Sequence, residues 1–89
     1  MPYIKEERRK VFDKDLLKIS FNIQTKGELT YCIYKLGCLF LHIIGTSYEY
    51  LSMITSSMED SKLEFYRRKT APYEDRKIIE NGDVVWLEN

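Results

Sequence analysis

One histidine and two cysteines carry the strongest intrinsic chemistry in this chain, and their spacing limits what they can do. Cys38 and His42 are four apart, which makes them neighbours on one face of a helix. An imidazole so placed could take the proton of a thiol. The pair lies inside the apolar run LGCLFLHII (36–44), however, and no third group is at hand to orient the base. His42 therefore reads as a partly buried helix residue. Cys32 and Cys38 lie six apart, about 240° around a helix, so they cannot bridge within it. No CxxC or HExxH spacing occurs, and no metal site is expected. The adjacent carboxylates Glu6-Glu7, Glu59-Asp60 and Glu74-Asp75 would point about 100° apart on helices. They read as solvated charges before they read as acid–base pairs. With no phosphate loop either, neither a cofactor nor an enzymatic activity is expected.

The stretch KLEFYRRKTAPYEDRK (62–77) remains as a candidate site. Lys62, Tyr66 and Lys69 fall on one helical line that points on toward Tyr73, and Arg67 and Arg68 add planar guanidinium groups suited to phosphate. Basic groups interleaved with aromatics can hold an anion and stack a base. Lys62, Tyr66, Arg67, Arg68 and Tyr73 are thus the candidate ligands for a small anion such as a nucleotide. The plainer reading is a helix end: cations belong in a last turn, where they complement the dipole, and Glu64 and Arg68 are spaced as an ion pair.

Composition narrows the class. At 44% hydrophobic and 31% charged, the chain has the make-up of an ordinary globular domain. Its 14 basic and 14 acidic residues cancel, so no overall field draws it to nucleic acid or to an anionic membrane. Two cysteines give no disulfide framework, which suggests a reduced, cytoplasmic setting. The charged run Lys5–Lys10 has no apolar segment behind it, so no secretory signal is expected, and the run 36–44 alone is too short to span a bilayer.

These residues must be positioned by helices, within a single domain covering 1–89. Phe12, Leu16, Ile19 and Ile23 recur at 4-3-4 spacing and predict a first helix, beginning near Lys5 or capped by Asp13. TKGE (25–28) is a capping box opening a second helix with a core stripe of Leu29, Ile33, Leu36, Phe40 and Ile43, ended by Gly45. TSYE (46–49) is a second capping box. It predicts a third helix carrying Leu51, Ile54, Met58 and Phe65, stopped by Pro72. Short connections make such helices antiparallel neighbours, so an all-α, three-helix antiparallel bundle is expected. Residues 72–82 admit a short fourth helix or a hairpin on Asn81-Gly82, with the helix favoured, and an apolar tail follows.

The second helix is apolar nearly all round, with Tyr31, Tyr34, Cys38 and Leu41 on the side away from its core stripe. Such a helix is normally buried all round, which two flanking helices cannot achieve in so short a chain. A homo-oligomer with Tyr31, Tyr34, Cys38 and Leu41 at its interface is the expectation.

The blocks MPYI (1–4), GELTY (27–31), KLEFYRR (62–68), APYED (71–75) and ENGDV (80–84) resemble a family of small uncharacterised proteins of bacteria and their phages. The resemblance implies a similar size and an all-helical fold, and it supplies no activity. The chain departs from the family pattern after Val84. Carried onto this sequence, the matching blocks imply a structural polar network of Tyr3, Glu64, Glu74, Asp75 and Lys77, with the segment after Pro72 folding back so that its carboxylates meet Arg67 or Arg68. Two functions stand side by side: an accessory protein that acts by binding itself and another protein, or a sequesterer of a small anionic ligand.

Overall fold

A computed structural model describes residues 2–85. Among them every regular element is helical. The helices are α1 (Glu6–Ser20), α2 (Lys26–Ile44), α3 (Tyr48–Phe65) and α4 (Ala71–Asn81), with a π-turn at Tyr66–Thr70 between the last two. Helix α1 starts after Lys5, which makes no side-chain cap; Asp13 lies inside it. The box TKGE forms as its residue types require: the Glu28 N–H donates to Thr25 Oγ1 at 3.1 Å, and Glu28 Oε1 accepts the Gln24 N–H at 2.7 Å. At the next start the cap shifts by one residue, with Ser47 Oγ rather than Thr46 accepting the Tyr50 N–H at 3.1 Å. Gly45 ends α2 at φ 93° and Gly82 ends α4 at φ 86°, a region open to glycine because it has no Cβ.

Pro72 does not stop the third helix. Ala71, directly before it, keeps helical dihedrals of −61° and −46°, and Phe65, Tyr66 and Thr70 are helical too. A proline in an α-helix lacks a donor and drives its ring against the carbonyl four residues back. A π-turn widens the helix at that point, and here the Ala71 N–H reaches the carbonyl of Tyr66, five residues back. Residues 48–81 therefore run as one rod of about 50 Å at 1.5 Å per residue, close to the longest dimension of the molecule, 55 Å. The favoured fourth helix is present, but as the far half of this rod rather than as a segment folded back. The hairpin alternative is absent from the described residues. The apolar tail falls largely on residues 86–89, outside them.

Helix α2 packs against α3. Gly37 sits where a Cβ would meet Met58 Cε at 2.6 Å and Ile54 Cγ2 at 3.2 Å, so the missing side chain makes room for these two side-chain ends in the seam. Leu41, Ile44, Ile54 and Met58 are partly covered along this seam. The seam is rotated about 90° from the stripe read in the sequence, by 100° per residue. Leu29, Ile33, Leu36, Phe40 and Ile43 are exposed, Leu36 at 63% and Ile43 at 78%. Leu41, expected at an interface between copies, lies in the seam instead. His42, expected to be partly buried, is exposed.

Helix α1 packs on no other helix of its own chain. Its stripe of Phe12, Leu16 and Ile19 is exposed. No described residue is fully buried. The chain exposes 8589 Å², against about 5,500 Å² for a folded monomer of this mass. Its radius of gyration is 17.7 Å, against about 12 Å for a compact domain of this length. The helices are in place, and the core they were expected to enclose within one chain is not.

Candidate functional site

The polar residues read from the sequence converge on the joint between α3 and the π-turn. Tyr3, in the extended segment before α1, donates its phenol proton to Glu64 Oε1 at 2.8 Å. Arg68 Nη1 donates to the same phenol oxygen at 2.9 Å, and its guanidinium carbon lies 5.9 Å from the centre of the Tyr3 ring. Arg67 Nη2 donates to Glu64 Oε1. Glu64 is the one charged side chain among the described residues that is partly buried. Hydrogen bonds from Arg67 and Tyr3 hold its carboxyl below the usual carboxylate range. Glu64 in turn raises the Arg67 guanidinium above its ordinary value. The spacing rule that paired Glu64 with Arg68 therefore selected the wrong arginine. Arg67, three residues on, takes the carboxylate, and Arg68 turns to Tyr3.

The second half of the network is set by the π-turn. Tyr66 donates to Glu74 Oε1 at 2.6 Å across eight residues. Eight residues of α-helix would leave the two about 80° apart. A π-bulge inserts one extra residue, so the pair behaves as if seven apart, two turns along one face. The negative Glu74 pushes the Tyr66 phenol above its ordinary value. Glu74 thus meets Tyr66, and neither Glu74 nor Asp75 meets Arg67 or Arg68 as the folded-back arrangement required. Asp75 lies close enough to add to the Tyr66 shift. Tyr73 stacks against its own neighbours instead of joining Tyr66: Arg76 and Lys77 lie 5.7 and 5.4 Å from its ring centre. Lys77 also pairs with Glu80 at 3.0 Å, and Lys62 with Glu59 at 3.8 Å.

The five candidate anion ligands are thus divided among separate partners. Arg67 is matched by a carboxylate, Lys62 and Tyr66 face carboxylates of their own, and Tyr73 sits under two cations. Only Arg68 has a neutral group, the Tyr3 hydroxyl, as its direct partner. Sequence reading named Tyr3 and Glu64 but missed that Tyr3 reaches Arg68. The MPYI and KLEFYRR blocks held both partners, with nothing in their spacing to join them across 65 positions. Among the described residues no group of three or more His, Cys, Asp and Glu is gathered as a metal site would need. Cys38, one turn on from Tyr34, raises the Tyr34 phenol above its ordinary value.

Two open clefts flank this joint and the elbow before it. One, about 500 Å³, lies between the end of α1 and the start of α2, lined among others by Ile19, Ile23, Tyr31 and Cys32. The other, about 580 Å³, lies along α4 between Tyr66 and Val84. Tyr31, Tyr34 and Cys38 of the expected interface are exposed. Helix α2, with 19 residues and a mean hydropathy of 1.2 over its most apolar window, is long and apolar enough to cross a membrane. It extends well beyond the run 36–44 judged too short. A protein-family model described as Domain of unknown function (DUF6899) matches residues 1–84. No curated protein and no solved structure matches the chain.

Proposed function

The chain belongs to that family of unknown function, and we propose that it is a non-enzymatic, cytoplasmic accessory protein that works as a homo-oligomer and presents the assembled surface to another protein. The observation that carries this reading is the surface excess. A chain exposing 8589 Å² has removed less than half of the roughly 15,500 Å² its unfolded form would expose, whereas even a 60-residue domain removes about 60%. Association must supply the rest. The excess over a folded monomer is roughly 3,000 Å² per chain, or about 6,000 Å² for a pair, which is the scale of a large obligate interface. The excess is apolar where a shared core would need it, on α1 and on α2. Lys35 near the middle of α2 and the fit of Gly37 against α3 favour protein rather than lipid as the cover. Fractionation of cells tests this: the proposal expects the chain in the soluble fraction, eluting as a multimer. Recovery in the membrane fraction after a carbonate wash would overturn it.

A second reading rests on the π-turn itself. Such turns occur often at functional sites, and this one carries Arg67 and Arg68, the latter without a carboxylate of its own. A small anion could complete Arg68 on the assembled protein. Thermal-shift measurement across a panel of nucleotides tests it, since a ligand at 100 times its dissociation constant adds about 2.7 kcal/mol. A shift that vanishes with Arg68→Ala would support the reading, and no shift with any nucleotide would end it.

A further inference from the structure

We infer that two copies of this chain exchange their first helices, α1 of each lying antiparallel on the exposed Leu29–Ile43 stripe of α2 in the other. The inference rests on the homo-oligomer reading and names the surfaces that such an assembly uses.

Helix α1 carries an apolar stripe spaced for burial, and in its own chain Phe12, Leu16 and Ile19 stay about half exposed with no other helix packed along them. Helix α2 carries a second such stripe, also uncovered, because its seam with α3 uses Gly37, Leu41 and Ile44 instead. A short connection would make these two stripes partners within one chain. The structure shows why they do not meet there. Tyr3, bonded to Glu64 and Arg68, fixes the segment before α1 at the joint of the long rod. Phe21 to Thr25 fix its other end at the start of α2, and the open 500 Å³ cleft separates the two helices at that elbow. Ile19 and Ile23 line the cleft opposite Tyr31 and Cys32, so the stripe approaches α2 only at that elbow, and Phe12 and Leu16 lie beyond it.

Exchange of an identical element between protomers makes the same contact between chains that would otherwise form within one. A two-fold axis then gives each copy both halves of the contact, α1 on the partner's α2 and α2 under the partner's α1. In the register that a short antiparallel connection dictates, Leu16 faces Leu29 and Phe12 faces Ile33. The partner also brings an apolar face to a cleft that one chain leaves open.

Disulfide trapping tests the exchange in the full chain with Cys32 and Cys38 replaced by Ser. Chains carrying Leu16→Cys under one tag and Leu29→Cys under another are co-expressed and oxidised, and the pair Phe12→Cys with Ile33→Cys serves where the first disturbs folding. Sedimentation of the unoxidised protein is measured alongside. With the two chains expressed equally, the exchange predicts that about half of the chain, the share that random pairing places in unlike-tag dimers, becomes a disulfide-linked pair of unlike tags. Two results overturn it while leaving the oligomer intact: a multimer that does not cross-link at either pair, or one in which Leu16→Cys/Leu29→Cys placed in a single chain closes within that chain. A monomer by sedimentation removes both the exchange and the oligomer.

Discussion

Glu64 is the half-buried charge around which the polar network is built. Its carboxylate accepts from Tyr3 and Arg67, and through Tyr3 it ties the chain's first segment to a helix more than sixty residues away. Because those donors favour the charged form, its folded pKa is depressed. The contribution it makes is then complete above the ordinary glutamate value of about 4.3 and fades as pH falls through its lowered value. The protection factor of the Ile4 amide, which bonds the Pro2 carbonyl, should accordingly be highest near neutrality and fall in acid, and Glu64→Gln should lower it near neutrality and flatten the acid response. Tyr3→Phe should match Glu64→Gln at neutral pH. Tyr66 behaves in the opposite sense. Its raised phenol pKa stabilises the folded form below the ordinary value of about 10, and that contribution is lost as pH rises through the raised value. At this scale the sequence named most of the participants and misassigned their partners. Residue types and local spacing propose pairs within a turn or two, but Tyr3 with Arg68, and Tyr66 with Glu74 across a bulge, depend on distances that no local spacing encodes.

At the scale of elements, the sequence disclosed three helices through periodicity, the Thr25 cap and Gly45, and favoured the fourth over a hairpin. It misjudged one junction and one face. Pro72 forbids a regular α-turn but permits a wider one, and no glycine or bonded cap interrupts 48–81 to stop the rod; Thr70 makes no capping bond. Pro72→Ala should leave helix content by circular dichroism unreduced, because it restores a donor to a helix that already exists. It should also close the π-turn, rotate α4 by about 100° and separate Tyr66 from Glu74, visible as a fall of the Tyr66 ring titration toward 10 in NMR. The face of α2 was misjudged because the helix is apolar on several sides, and a pattern of apolar residues cannot say which side a small residue such as Gly37 has opened. Gly37→Leu should cost about 1–3 kcal/mol by overpacking against Met58 and Ile54. Gly37→Ala should be close to neutral in chemical denaturation, the helix propensity gained offsetting the displacement of the flexible Met58 terminus.

The whole molecule is where the sequence is most informative and least specific. A helix apolar all round, in a chain of 89 residues, announces that more must cover it than the chain contains. It does not announce that α1 leaves its own chain's core, because a stripe at 4-3-4 spacing demands burial without saying whose helix provides it. The structure holds the segment before α1 at the Glu64–Arg68 joint and joins the end of α1 to α2 only through the short elbow at 21–25. If folding and association are one event, stability must depend on concentration. Sedimentation equilibrium across a hundred-fold dilution, read together with circular dichroism on the same samples, tests this most directly. The account predicts a multiple of 10.7 kDa at the higher concentrations, with helicity falling as the multimer dissociates. A mass of one chain that stays fully helical and unfolds cooperatively at every concentration would contradict it.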